Sequence, residues 1–228
     1  MSDKFFYYLS VLAQGLPTTL GLSFAGIITA CILAVALSIV LVSQRKFAIK
    51  VIQAYIAVFT GTPLLVQIFI IYYGPAQFDF IKDNLPTLWY LLSSPWFCAF
   101  LALTLNSAAY TTLIFHGALK AVPSGQWQAC VALGMNHSQT LKVILPYALK
   151  RALSSYSNEV IFVVKGTALT STITLMDIMG YSQFLNGRYY EFSIFIAAGI
   201  IYLLINGLLS IIMRMIEKRA LAFENPQQ

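Results

Sequence analysis

The stretch Ala121–Leu141, AVPSGQWQACVALGMNHSQTL, carries no formal charge and still does not read as a membrane span. It contains Pro123, Ser124, Gln126, Gln128, Asn136, His137, Ser138, Gln139 and Thr140. Burying so many unpaired amides and hydroxyls in hydrocarbon costs several kcal/mol, so the stretch belongs in water. The other charge-free runs are a different matter.

The chain has 228 residues, 59% hydrophobic and 10% charged. Its mean hydropathy is +0.77. A soluble domain carries about 25% charged residues. The composition therefore excludes an ordinary soluble enzyme, a disordered chain and a secreted disulfide scaffold. Gly15–Val42, Val51–Phe78, Trp96–Leu119, about Ser155–Met179 and about Phe192–Met213 are each apolar enough to cross a bilayer, which takes roughly 20 residues. The expected fold class is an all-α polytopic membrane protein with five transmembrane helices. Between the second and third spans, Asp79, Lys82, Asp83 and prolines 75, 86 and 95 read as an external loop.

The basic residues orient the chain. Ten of the 14 lysines and arginines lie in segments 43–50 and 120–154 and in the C-terminal tail. By the positive-inside rule these are cytoplasmic, with the N-terminus outside and the C-terminus inside. The net charge of +6 then marks a membrane face rather than a nucleic-acid surface. Ala34-Val35-Ala36 resembles a signal-peptidase site, but the apolar run is far longer than an h-region of about 7–15 residues, so an uncleaved anchor is expected. Cys31, Cys98 and Cys130 have neither metal-ligand nor disulfide spacing and read as inert thiols. No metal or cofactor site is expected.

Within the hydrophilic loop, Ser124 is a candidate cap for a short helix that Gly134 stops. Asn136 with Gln139 forms a capping box for the next helix, and Pro146 is expected to interrupt that helix soon after it begins. The product is two short helices around a glycine turn, with Ala129, Cys130 and Ala132 on the solvent side. Such an element suits docking into another protein's groove, or serves as a plain amphipathic connector.

Gln128-Ala129-Cys130-x3-Gly134 followed by Val143-Ile144-Leu145-Pro146 resembles the Glu-Ala-Ala-x3-Gly-x9-Ile-x-Leu-Pro loop of bacterial ABC importer permeases, with substitutions and a spacer one residue short. Phe59–Gln67, Pro123–Gln126 and Asn158-Glu159 with Lys165-x-Thr167-x-Leu169 are similar to the polar amino acid uptake permeases, the histidine-permease-like family. Tyr181-Ser182-Gln183 and the tail Ile216–Glu224 resemble the M-type subunits of arginine systems within it. The resemblance implies a single transmembrane domain over 1–228, with a coupling loop at about 121–154 that seats on a cytoplasmic ATPase through Gln128, Ala129, Cys130, Gly134, Leu145 and Pro146. It also implies two ATPase copies, a second permease of Q type, a periplasmic amino-acid-binding protein and the bacterial inner membrane. No G-x-x-x-x-G-K-[ST] phosphate loop occurs in this chain, so ATP hydrolysis is expected on a separate subunit.

Charged residues inside spans are functional suspects. On a continuous fourth helix, Glu159, Gly166, Thr170 and Asp177 fall on one stripe, with Lys165 about 120° away. A carboxylate there suits a cationic solute, since it pairs bidentately with a guanidinium. The alternative for Glu159 is an interfacial cap or a pair with Arg151 or Lys150. Asp177 reads as structural. In the third span, Asn106, Tyr110, Leu113 and Gly117 make another stripe. Related permeases carry Glu at Leu113 and Arg at His116, which implies that part of the site rests on the partner permease. Thr60-Gly61-Thr62-Pro63 breaks the second span to expose carbonyls to a solute, or packs closely at Gly61. The resemblance also implies that the Asn158-Glu159 position lies near the transported solute, so the candidate solute contacts are Glu159, Asn158, Asn106, Tyr110 and Thr62. Arginine is the favoured solute, with histidine, lysine or glutamine as alternatives and an intramembrane enzyme as a remote one.

Overall fold

A computed structural model describes residues 2–43 and 45–222; Phe223 and Glu224 of the tail motif lie outside them. Among the described residues the chain is helical, with no strand. Helix α1 (Ser2–Leu12) leads through a 3₁₀ turn at Ala13–Gly15 into α2 (Leu16–Leu41). The join is tight. A Cβ on Gly15 would lie 2.4 Å from the Asp177 carbonyl carbon and 2.4 Å from the Ile178 nitrogen, so only glycine lets these backbones meet. Next come α3 (Lys46–Gly61) and α4 (Leu64–Tyr73), and then α5 (Asp79–Asn84) and α6 (Pro86–Leu92), which occupy the segment expected as open loop. Helix α7 (Pro95–Lys120) is followed by α8 (Ser124–Ala132), α9 (His137–Gly166), α10 (Ile178–Tyr189) and α11 (Ser193–Leu221).

Residues Lys4–Leu41, Pro95–Lys120 and Ser193–Leu221 are long and apolar enough to cross a membrane. Two further stretches qualify only as bent pairs, α3 with α4 at 106° and α9 with α10 at 47°.

The core is stacked in floors along the bundle. Tyr8, Leu12, Ile178, Leu185, Ile194 and Ala197 form one end. Leu22, Ile68, Cys98, Ala102, Leu103 and Ile173 follow, then Ala34, Phe115 and Ala152. Leu119, Val122, Cys130, Ile144 and Ala148 close the other end, beside the basic segments. Numbers rise down the stack on α2 and α7 and fall on α9, so α9 runs antiparallel to both. Alanine on facing helices lets the axes approach closely, as small residues do in membrane bundles.

The α8–α9 corner departs from expectation in three places. Pro123, not Ser124, occupies the N-cap of α8, and Ser124 is its first helical residue with no side-chain cap bond. Cys130 is turned inward, 6% exposed. Helix α9 passes through Pro146 without a break and runs 30 residues, so the second helix is long. The neighbouring Ile144, Ala148 and Ala152 are buried and hold it, while Lys142, whose carbonyl loses its donor, is exposed to water. The two signals on either side of the glycine are as expected. Gly134 has φ +71°, its N–H donates to the Val131 carbonyl, and Met135 N–H donates to the Cys130 carbonyl, a Schellman stop. The capping box between Asn136 and Gln139 is complete, both bonds at 2.9 Å.

Candidate functional site

The second span breaks where Pro63 removes an N–H. Thr62 is extended (φ −119°, ψ 145°), as the residue before proline prefers, and the two carbonyls nearest the break lose their helical donors. Side chains take the place of the missing donors. The Phe59 carbonyl accepts from Gln67 Nε2 at 2.8 Å and Asn106 Nδ2 at 3.3 Å. The Thr60 carbonyl accepts from the Tyr110 hydroxyl at 3.2 Å. Gln67 Nε2 also reaches the Thr62 carbonyl at 3.0 Å and Thr62 Oγ1 at 2.8 Å, and its Oε1 accepts from Asn106 at 3.0 Å. Close packing at Gly61 does not explain the elbow, because a Cβ there would meet nothing within 4 Å.

Behind the elbow lies a cavity of about 570 Å³ lined by residues of α4, α7, α9 and the turn after it. Asn106, Ser107 and Tyr110 of α7 and Glu159, Phe162, Lys165 and Gly166 of α9 contribute to its lining. Glu159 is 8% exposed, with the Ser107 hydroxyl as a hydrogen-bond partner. Gly166 leaves room for Leu64 and Leu103, whose methyls would stand 3.1 and 3.2 Å from a Cβ. The Lys165 ammonium lies 5.9 Å from the centre of the Phe162 ring.

Of the five candidate contacts, Glu159, Asn106 and Tyr110 line this cavity, while Asn158 and Thr62 do not. Asn158 is exposed on another face of α9, and Thr62 belongs to the network that closes the break, its hydroxyl donating to the Val58 carbonyl at 2.7 Å. Leu113 is exposed and outside the lining. The expected fourth-span stripe does not continue as one helix. After Gly166 the chain tightens to 3₁₀ over Thr167–Ile173 and turns at Thr174 with φ 71°. Asp177 therefore leaves the Glu159 line and caps α10. Its Oδ1 accepts from Gly180 N–H at 2.7 Å and its Oδ2 from the Tyr202 hydroxyl at 3.2 Å. Gln67 was quoted only within a motif, and its part as the hub of the elbow depends on a contact with α7 that spacing along one helix does not reveal.

At the basic end, Gln128 and Ala129 are exposed on α8, Gly134 forms the turn, and Leu145 and Pro146 follow on α9. A shallow cavity of about 550 Å³ lies beside them, lined by Trp127, Gln128, Val131, Ala132, Met135, His137 and Thr140. Val131 and Leu133 are 71% and 74% exposed.

The family profile described as "Binding-protein-dependent transport system inner membrane component" matches residues 23–221. The chain belongs to this family. It is 58% identical over 219 residues, 96% of its own length and 98% of the relative's, to the arginine ABC transporter permease protein ArtM of Escherichia coli (strain K12). ArtM of Haemophilus influenzae is 55% identical over 218 residues, covering 95% of each chain. The nopaline transport system permease NocM of Agrobacterium fabrum is 38% identical over 87% of this chain and 83% of its own. Among solved structures, an amino acid ABC transporter with histidines superposes with a TM-score of 0.81 at 29% identity, covering 94% of this chain and 96% of that one. The MetNI methionine transporter matches in fold, with a TM-score of 0.76 at 17% identity over 92% of this chain and 96% of the other. As a permease of this family, the chain is a multi-pass protein of the inner membrane.

Proposed function

We propose that this chain is the membrane-spanning subunit of an ABC importer that carries a cationic amino acid, arginine, into the cytoplasm. The observation that carries the choice of solute is the Glu159 carboxylate, buried at the wall of a cavity between α7 and α9. Likeness to ArtM over nearly the whole of both chains supports the same reading. A guanidinium entering the cavity would find Glu159, Asn106 and Tyr110 among the side chains that line it.

In this reading the chain is one transmembrane domain over 1–228 with five spans, each bent pair counting as one, and its N-terminus is outside. Residues about 121–154 are the coupling loop, where Gln128, Ala129 and the exposed Val131 and Leu133 meet a separate ATPase subunit. Gly134 and Pro146 are exposed beside them, Leu145 is half-buried, and Cys130 packs beneath. Two ATPase copies, a second permease of Q type and a periplasmic amino-acid-binding protein complete the assembly, and catalysis stays with the ATPase.

The test is uptake of labelled arginine into cells that depend on this importer. Glu159→Gln keeps the size and removes the charge, and a charge-assisted contact is worth about 2 kcal/mol. Initial uptake is expected to fall roughly 30-fold with the complex still assembled; unchanged arginine uptake overturns the site assignment.

A further inference from the structure

The segment between α4 and α7 folds as two short helices whose large side chains face outward. Phe78, Phe80 and Tyr90 are 61%, 67% and 77% exposed, and Leu85, Leu88 and Leu91 are also exposed. Helix α6 has no formal charge. The charges of the segment sit on α5, where Lys82 bridges to Asp79 at 3.4 Å and lies 5.6 Å from the centre of the Trp89 ring. A water-facing loop rarely gathers so much exposed apolar surface.

The level of this segment in the bundle is set by Cys98, in the first turn of α7. Its thiol donates to the Leu92 carbonyl at 3.1 Å and lies 3.8 Å from the Ile71 carbonyl. The end of α6, the last turn of α4 and the first turn of α7 are thus held at one height, and Leu92 and Tyr72 pack on the same core cluster as Cys98. That height is where two spans leave the hydrocarbon, and both ends of the segment are tied to it. The same end of the bundle carries Phe6 on α1 and Tyr190 and Phe192 at the α10–α11 corner, all more than two-thirds exposed. Aromatic side chains at span ends form the belt that sits at lipid headgroup level.

We propose that residues 75–92 lie within the headgroup–acyl boundary of the bilayer, as an interfacial helix pair whose occupant is phospholipid. Helix α6 seats Leu88, Tyr90 and Leu91 among the acyl chains, and Asp79 and Asp83 stay in the headgroup layer. The inference rests on α7 and the bent pair of α3 with α4 crossing the membrane, and does not depend on which solute is carried.

The test places a reporter at Tyr90. With Trp89, Trp96 and Trp127 changed to Phe, Tyr90→Trp supplies this chain's single tryptophan in the importer reconstituted into phosphatidylethanolamine–phosphatidylglycerol vesicles, and its emission is read as the difference from the same importer that keeps Tyr90. Phospholipid brominated near the headgroup end of its acyl chains is expected to quench at least half the emission, and aqueous iodide very little. Strong iodide quenching with no effect of brominated lipid overturns the proposal. So does shielding from iodide that appears only when the solute-binding protein is added, which makes the segment a protein-docking surface. Hydroxyl-radical footprinting of the wild-type importer in nanodiscs needs no substitution. Phe80 and Tyr90 are expected to be as little oxidised as Phe24 and Leu203, two exposed residues on α2 and α11. Heavy oxidation of Phe80 and Tyr90 with Phe24 and Leu203 spared overturns the lipid seat alone, whereas oxidation of all four overturns the membrane reading beneath it.

Discussion

Pro63 and Pro146 are a contrasting pair: the first stands at a break between α3 and α4, and the second lies inside a helix that continues. At Pro63 the second span turns through 106°; at Pro146, α9 runs on for another 20 residues to Gly166. Each proline removes one backbone donor. The difference lies in what surrounds the carbonyl left behind. Near Pro146 that carbonyl belongs to Lys142, an exposed residue. Near Pro63 it belongs to Phe59, within the bundle, where Gln67 and Asn106 supply the donors. A break inside the bundle therefore draws its partners from elsewhere in the chain. The second bend, between α9 and α10, uses no proline. It is made by 3₁₀ tightening, a left-handed Thr174 and the Asp177 cap.

The largest way to break this comparison is Gln67→Leu. It removes the Gln67 bonds to the Phe59 and Thr62 carbonyls and to Asn106 in a half-buried site, at about 1–2 kcal/mol. A marked fall in the thermal unfolding midpoint of the detergent-solubilised complex is expected; an unchanged midpoint means that the elbow does not depend on the network. Asp177→Ala tests the proline-free bend. Loss of the cap costs about 1–2 kcal/mol, read by the same melt and by faster amide exchange in the first turn of α10. Pro146→Ala sharpens the contrast from the other side, since it restores a donor to a helix that is already continuous. It should raise stability by about 1 kcal/mol, a modest gain given that proline costs up to about 3 in a helix interior; a loss of stability implies that the proline shapes α9 after all.

The smallest effect concerns the clasp beyond the second bend. Glu191 accepts from the Tyr8 hydroxyl at 2.9 Å and pairs with Lys4 at 3.3 Å. The Tyr8 bond, then Lys4, hold its carboxyl below the ordinary 4.5. A lowered carboxyl pKa adds stability that is full above the ordinary value and fades as pH falls through the lowered one. Glu191→Gln should therefore melt slightly earlier than the parent chain at neutral pH and together with it in strong acid. A gap that persists in acid indicates packing rather than charge.

The all-helical fold and the long apolar helices Lys4–Leu41, Pro95–Lys120 and Ser193–Leu221 were legible because apolar runs act over whole segments. The cap at Asn136, the turn at Gly134 and the break at Thr60–Pro63 were legible because their causes are local. The unbroken passage of α9 through Pro146 was not, since burial of Ile144, Ala148 and Ala152 against other helices decides it. Neither was the end of the Glu159 stripe after Gly166, where threonine-rich backbone prefers a tighter turn that periodicity arithmetic assumes away. Of the proposed solute contacts, Glu159, Asn106 and Tyr110 share a cavity; Asn158 came from resemblance alone, and Thr62 from a break whose hydroxyl serves the backbone.

The continuity of α9 has a mechanical consequence. From His137 to Glu159 is 22 residues, about 33 Å of unbroken rod. The near end is fixed to α8 by a corner whose backbone bonds are all internal, so that corner has little slack to absorb a push. For a rod of that length, a tilt of roughly 5° at one end sweeps the other by about 3 Å, more than the length of a hydrogen bond at the cavity wall.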